Sequence, residues 1–271
     1  MPEAYIIPLP PRWERELDCG WVEFKSGKDD IRGYFAMPAG RRHLPGIVMV
    51  HENLGVIEHR QEVTRRLAKA GYATLTVDLY SRIGGQSPRD FKTPEERRAK
   101  AFRAMPDEQV IPDLEAGCRW LEGHPDVDRD RIGAIGYCSG GGLLYGWILG
   151  HSTNVKCAVV FYGSTGLNAD ARPDGKPLDR IPSAPLLQCP IQIHQGEADR
   201  LLDSARKMAA ALKETRHPVE FFTYPGADHA YHDDTHPAYH QEASKASWAR
   251  TLEFFARHLA GVPVAKTAAA D

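Results

Sequence analysis

The stretch from Arg131 to Gly142 carries the clearest chemistry in the chain. An apolar run, Ile132-Gly133-Ala134-Ile135, leads directly into Gly136-Tyr137-Cys138-Ser139-Gly140, and the apolar segment Leu143–Leu149 follows. A buried strand, Gly-x-Cys-x-Gly and then a helix is the pattern of a nucleophile elbow, with cysteine at its apex. The apex residue sits on a strained turn, and side chains two positions before and after it would strike neighbouring backbone. Glycine at 136 and 140 removes the Cβ atoms that would clash. The same turn aims the first amides of the following helix at an anion forming beside the sulfur. Taken alone, the pentad also fits an ordinary strand-to-helix turn with a buried cysteine.

A thiol nucleophile needs a base, and the base needs an orienting acid. In open α/β sheets such groups come from loops at the carboxyl ends of strands. Two such loops follow the elbow: Gln195-Gly196-Glu197-Ala198-Asp199 after Ile191–His194, and Pro225-Gly226-Ala227-Asp228-His229 after Val219–Tyr224. The order nucleophile, acid, histidine is that of the α/β-hydrolases. Asp199 is expected to accept from one imidazole nitrogen of His229, leaving the other for the sulfur of Cys138. Glu197 and Asp228 are rival acids, and an Asp in such a loop is by itself most often a turn former.

A further loop, His51-Glu52-Asn53-Leu54-Gly55, follows the strand Ile47–Val50. In this fold that loop supplies one oxyanion amide and the residue after the nucleophile supplies the other, here the backbone N–H groups of Asn53 and Ser139. Glu52 is unusual there, because a carboxylate beside a thiolate opposes it by like-charge repulsion. Its alternative role is a helix cap or an ion-pair partner. The run His229, His232, His236, His240 has near-helical spacing, but Pro237 interrupts it and no HExxH appears. No metal or other cofactor is expected.

The elements that must position these groups alternate strand and helix. Cys19–Lys25 and Ile31–Met37 flank Gly27-Lys28-Asp29 as a hairpin. Gly46–Val50 reads as a strand buried on both faces. His59–Ala70 reads as a helix with Val63, Leu67 and Ala70 inward, closed by Gly71. Tyr72–Val77 is the next strand and Asp107–Glu122 the next helix. Val155–Tyr162, Ile191–His194 and Val219–Tyr224 read as strands, and Ser204–Lys213 as a helix. The closing helix shows an apolar face at Trp248, Leu252, Phe255 and Leu259. The polar excursion from 81 to 106 could cover a site. The pattern predicts one α/β domain over 1–271, a mostly parallel central sheet with helices on both faces, an arm at 1–16 and a frayed tail at 261–271.

Size and composition fit that reading. The 271 residues are 42% hydrophobic and 26% charged, as in soluble globular proteins. A net charge of −2 gives no reason to expect nucleic acid or an anionic membrane as partner. No apolar run reaches the length of a membrane span, and the first residues lack a signal-peptide pattern. Five scattered cysteines without CxxC spacing suggest neither disulfides nor zinc, and a cytoplasmic location is expected.

Four segments together resemble the dienelactone hydrolase family: His51-Glu52-Asn53-Leu54-Gly55, Val77-Asp78-Leu79-Tyr80-Ser81-Arg82, Gly136-Tyr137-Cys138-Ser139-Gly140-Gly141, and His229-Ala230-Tyr231-His232-Asp233-Asp234. The likeness runs from the first hairpin through Trp248–Phe255. It implies an α/β-hydrolase fold and a Cys138–His229–Asp199 triad, with Glu52 as the family's glutamate. In that family the glutamate holds the resting thiol and takes its proton once substrate binds. The thiolate then attacks a lactone or ester carbonyl, and the histidine assists the leaving enolate and activates water. Members acting on dienelactone hold its carboxylate with two arginines. Arg98 aligns with one, with Phe102 where a tyrosine would stand, while the other position is Asp233. A carboxylate there would repel an anionic substrate. Arg82 is a further candidate substrate contact, with a structural role on loop carbonyls as its alternative.

The expected function is therefore hydrolysis of a small-molecule lactone or carboxylic ester. A general esterase or thioesterase acting on a neutral acyl compound is one alternative, and a non-catalytic ligand-binding descendant of the fold is another. The sequence leaves the oligomeric state open.

Overall fold

The computed structural model describes residues 16–85, 90–93, 95–96, 105–167 and 176–259. The arm before Glu16, the tail from 260, and much of the excursion between 81 and 106, including Arg98 and Phe102, lie outside the described residues.

The described chain opens on an antiparallel hairpin of β1 (Leu17–Ser26) and β2 (Asp29–Pro38). Ser26 pairs with Asp29, leaving the two-residue turn Gly27-Lys28 with Gly27 at φ 58°. Positive φ at the first turn position matches the twist of the flanking strands, which is why glycine stands there. There follow β3 (Leu44–Val50), α1 (Glu58–Lys69), β4 (Ala73–Val77), α2 (Asp107–Glu122), β5 (Val127–Tyr137), α3 (Ser139–Ile148) and β6 (Val155–Phe161). A short pair, β7 (Gly166–Leu167) and β8 (Leu178–Asp179), precedes β9 (Ile191–Gly196), α4 (Leu202–Lys213), β10 (Val219–Tyr224) and α5 (Gln241–His258).

Eight strands form one sheet in the order β1-β2-β4-β3-β5-β6-β9-β10. β2 runs antiparallel to both its neighbours, and every pairing from β4 to β10 is parallel. This is the α/β-hydrolase fold. Alternation along the central strands feeds two cores. Val48, Val50, Ala134 and Val160 meet Leu114 and Leu121 of α2, Leu144 and Ile148 of α3, and Met208 and Leu212 of α4. Ile47, Met49, Ile135 and Val159 meet Val63 and Leu67 of α1 and Phe254 and Phe255 of α5 on the opposite face. Burial on both faces explains the unbroken apolar runs of these strands.

The expected apolar face of the closing helix packs on the second core, Phe255 and Leu259 fully and Trp248 and Leu252 in part. The buried positions within the helix are Ala243, Ser244, Ser247, Thr251, Phe254 and Phe255. Small hydroxyl residues beside that face are buried as well, and their hydroxyls find partners. Ser247 Oγ donates to the Ser244 carbonyl, and Thr251 Oγ1 lies 3.2 Å from His194 Nε2. A buried hydroxyl with a partner costs little, and its size lets the helix sit close to the sheet.

The turn from β5 into α3 carries the fold's clearest strain. Cys138 sits at φ 54° and ψ −119°, a region that residues with a Cβ rarely adopt. Its flanking glycines permit it. A Cβ on Gly136 would lie 2.6 Å from the Gly140 carbonyl oxygen, and one on Gly140 would collide with the carbonyl oxygens of Val50 and His51. These obstacles are backbone and cannot swing aside. Gly140→Ala is therefore expected to destabilise the protein by about 3 kcal/mol or more, read as a lowered urea midpoint or loss of soluble protein.

Candidate active site

Three chain segments that are distant in sequence converge at Cys138. The thiol crowns β5, and His229 and Asp199 stand on the loops after β10 and β9. His229 Nε2 lies 3.0 Å from Cys138 Sγ, and His229 Nδ1 lies 2.7 Å from Asp199 Oδ2. Asp199 is further fixed by Gln195 Nε2 on Oδ2 at 2.7 Å and by the Leu201 amide on Oδ1 at 2.9 Å. Of the rival acids, Glu197 accepts from Thr223 Oγ1, and Asp228 accepts from the His229 amide. Asp199 is thus the carboxylate that meets the imidazole.

Electrostatics follow from these contacts. Burial opposes charge on His229, but the Asp199 hydrogen bond and then the Cys138 contact outweigh it and lift its pKa from 6.5 to about 10. Burial likewise opposes ionisation of Asp199, yet the donors His229, Leu201 and Gln195 hold its carboxyl below the ordinary range. The arrangement favours an imidazolium that can face a thiolate. The Tyr162 ring lies 5.1 Å from the His229 ring and braces it from the end of β6.

The loop after β3 is pinned from several directions. The Leu79 amide donates to His51 Nε2 at 3.0 Å, so Nδ1 carries the proton and donates to the Glu52 carbonyl at 2.6 Å. Tyr80 Oη donates to the Asn53 carbonyl at 2.8 Å. Among the described residues, neither the Asn53 nor the Ser139 amide donates to a backbone carbonyl. Two bound carbonyls and one imidazole therefore set the direction of the loop that carries Asn53.

Glu52 is buried and ion-paired, the second of the two roles its type allowed. Arg60 of α1 places Nε 2.8 Å and Nη2 2.6 Å from Glu52 Oε2. Arg60 was not singled out by sequence reasoning, although a signal existed. It lies three and seven residues before Val63 and Leu67, so it occupies the inward face of α1, where an unpaired cation is not tolerated.

Arg82 donates from Nη1 and Nη2 to Asp113 at 2.5 and 2.9 Å and from Nε to Asp29 at 2.7 Å. Its guanidinium thus ties the turn after β4 to α2 and to the hairpin. Asp233 turns its Oδ1 to the amide and hydroxyl of Thr235 at 2.8 and 2.7 Å. The four-histidine run does not converge. His232 packs among Tyr137, Phe161 and Trp248, His236 accepts from the Ala238 amide, and His240 caps α5 through the Ala243 amide. A different trio, His59, Asp233 and Asp234, brings possible ligand atoms within 4.8 Å of one another, beside a cavity of about 350 Å³ whose lining includes His59, Asp234 and Thr235. Arg66 Nη2 already meets Asp234 there at 2.7 Å, so a cation is in place. No helix among the described residues is long and apolar enough to cross a membrane.

The doubly flanked elbow, the parallel sheet and the loop order define a hydrolase of the α/β-hydrolase superfamily. Within it the chain belongs to the dienelactone hydrolase family, whose model matches residues 31–259. It is 31% identical over 245 residues to a Bradyrhizobium protein named "Probable 2-oxo-3-(5-oxofuran-2-ylidene)propanoate lactonase", covering 89% of this chain and 95% of that one. It is 33% identical over 245 residues to a Methylorubrum extorquens protein named "Putative carboxymethylenebutenolidase", covering 89% and 82%. A crystal structure described as a "Putative Dienelactone Hydrolase" from Klebsiella pneumoniae superposes with a TM-score of 0.80 at 29% identity, over 89% of this chain and 99% of that one.

The raised pKa of His229 has a checkable origin. Asp199→Asn keeps the shape but removes the charge that stabilises the imidazolium, so the His229 midpoint should fall from about 10 toward 6.5. Imidazole chemical shifts followed through a pH titration measure it directly.

Proposed function

We propose that the protein hydrolyses a lactone or small carboxylic ester through a Cys138–His229–Asp199 triad. The observation that carries this is the unbroken line from sulfur to imidazole to carboxylate, 3.0 Å and then 2.7 Å, at the apex of a strained elbow. The names of the relatives support the substrate class, since one is called a lactonase and another a butenolidase.

In this reading Cys138 gives its proton to His229 Nε2, and the thiolate attacks the acyl carbon. Charge builds on the carbonyl oxygen, to which the Asn53 and Ser139 amides donate hydrogen bonds, a pair worth about 2–4 kcal/mol in such sites. The carbon–oxygen bond breaks as His229 returns the proton to the leaving enolate or alkoxide, leaving a thioester on Cys138. His229 then takes a proton from water, the hydroxide attacks the thioester, and the thiol is regenerated. Asp199 keeps Nδ1 protonated and steadies the imidazolium throughout. Glu52 is paired with Arg60, and His229 Nε2, 3.0 Å from the sulfur, is the proton acceptor. No cofactor takes part in these steps.

A second reading concerns the acyl compound's charge. Among the described residues, Arg60 is committed to Glu52 and Arg82 to Asp113 and Asp29, so neither offers a free guanidinium to a substrate carboxylate. This favours an uncharged lactone, ester or thioester. Arg98 and Phe102 remain candidate contacts for the acyl group, and a cytoplasmic enzyme handling small molecules fits the composition.

Cys138→Ala should lower turnover of p-nitrophenyl acetate and of an uncharged enol lactone by at least about 10³-fold, and iodoacetamide should label Cys138 in the native protein. Turnover that survives the substitution would refute the thiol as nucleophile. An uncharged butenolide should give a larger kcat/KM than its carboxylate analogue.

A further inference from the structure

Glu52 is 7% exposed and, like Cys138, lies within electrostatic reach of the Tyr80 and Tyr162 phenols, among side chains that burial keeps uncharged. Burial keeps His51 and His232 below their ordinary pKa, and burial raises the phenols of Tyr80, Tyr137 and Tyr162. Asp78, on the loop after β4, adds a second negative charge near His51 and Tyr80. His59 is likewise held below its ordinary pKa by burial, and Arg66 is spent on Asp234 and Glu62. Arg60 is the cation that meets Glu52. It is 1% exposed, and both of its contacts fall on one oxygen, Oε2. Glu52 Oε1 and Arg60 Nη1 are buried without a hydrogen-bond partner among the described residues. The guanidinium also lies 3.8 Å from the ring centre of Tyr137, the residue immediately before Cys138, and that ring is stacked on Phe161 at 4.8 Å. Arg60 therefore bridges the loop bearing Glu52 and the strand bearing the sulfur.

We propose that Arg60 is a positioning residue that neutralises Glu52 and thereby lets the Cys138 thiolate form beside it. The inference rests on Cys138 being the nucleophile. A lone carboxylate in this buried setting would repel a thiolate, and the nearby guanidinium cancels that repulsion. The arginine is locked by helix, ring and carboxylate and cannot leave to bind a substrate. Charge balance is thus built into the resting site and needs no substrate carboxylate to trigger it.

The experiment follows the rate of Cys138 alkylation by iodoacetamide against pH, in the intact protein, for wild type, Arg60→Met, Glu52→Gln and the double variant. Arg60→Met should move the thiolate midpoint upward by about one pH unit, so that alkylation at neutral pH slows about tenfold. The double variant, which lacks both charges, should return the midpoint close to wild type. Arg60→Lys, which keeps the charge, should lie between wild type and Arg60→Met. A wild-type profile in Arg60→Met overturns the proposal, and so does a double variant as shifted as the single one. If Arg60→Met fails to fold, Glu52→Gln decides: with Arg60 left unopposed its midpoint should fall about one pH unit below that of the double variant, and equal midpoints in the two overturn the proposal. Failure of the underlying assignment looks different: Cys138 would resist alkylation in the wild type, and Cys138→Ala would keep its activity.

Discussion

The close approach of α3 to the end of β3 holds the molecule's chemistry in place. Only because Gly140 has no side chain can the helix start against the carbonyls of Val50 and His51. That contact forces Cys138 into its positive-φ turn and lifts its side chain clear of the sheet. It also brings the loop carrying Asn53 beside the first amides of α3. Backbone strain of this kind costs of order 1–3 kcal/mol and persists only where surrounding structure determines it. Here two cores, one on each sheet face, supply that determination.

Buried charge is handled by pairing throughout. Arg60 with Glu52, Arg82 with Asp113, Arg180 with Asp107, and Glu115 with Trp147 and Thr153 each connect elements that the apolar cores do not fully fasten. Such pairs add little net stability beyond that of well-packed apolar residues, but breaking one side leaves an uncompensated charge. They act as registration marks, fixing how α1 and α2 sit against the loops that end at the site.

Much of this was legible in the sequence, for identifiable reasons. Continuous apolar runs located β3, β5 and β6, and the Asp107–Glu122 helix and Val219–Tyr224 strand agree with their expected bounds. That Cys138, His229 and Asp199 would meet was legible because their order and their place after strands are local features. The apolar face of α5 was legible as well, but its buried Ser247 and Thr251 were not, since they owe their place to partners invisible in an apolar count. Arg60 was missed for a related reason. Its partner Glu52 lies eight residues earlier on a different element, and periodicity cannot report a contact that tertiary folding creates. Arg98 and Phe102, expected from the family resemblance to contact substrate, fall outside the described residues.

His51 shows how acid tolerance can be designed into a loop. The imidazole accepts a hydrogen bond from the Leu79 amide and donates one to the Glu52 carbonyl, filling both ring positions with neutral partners. Burial, the dominant influence on it, makes a second proton unwelcome. As the medium is acidified through the range where exposed histidines charge, this clasp has nothing to gain and stays shut. The loop that carries Asn53 is thereby held by a contact that keeps its form as acidity rises.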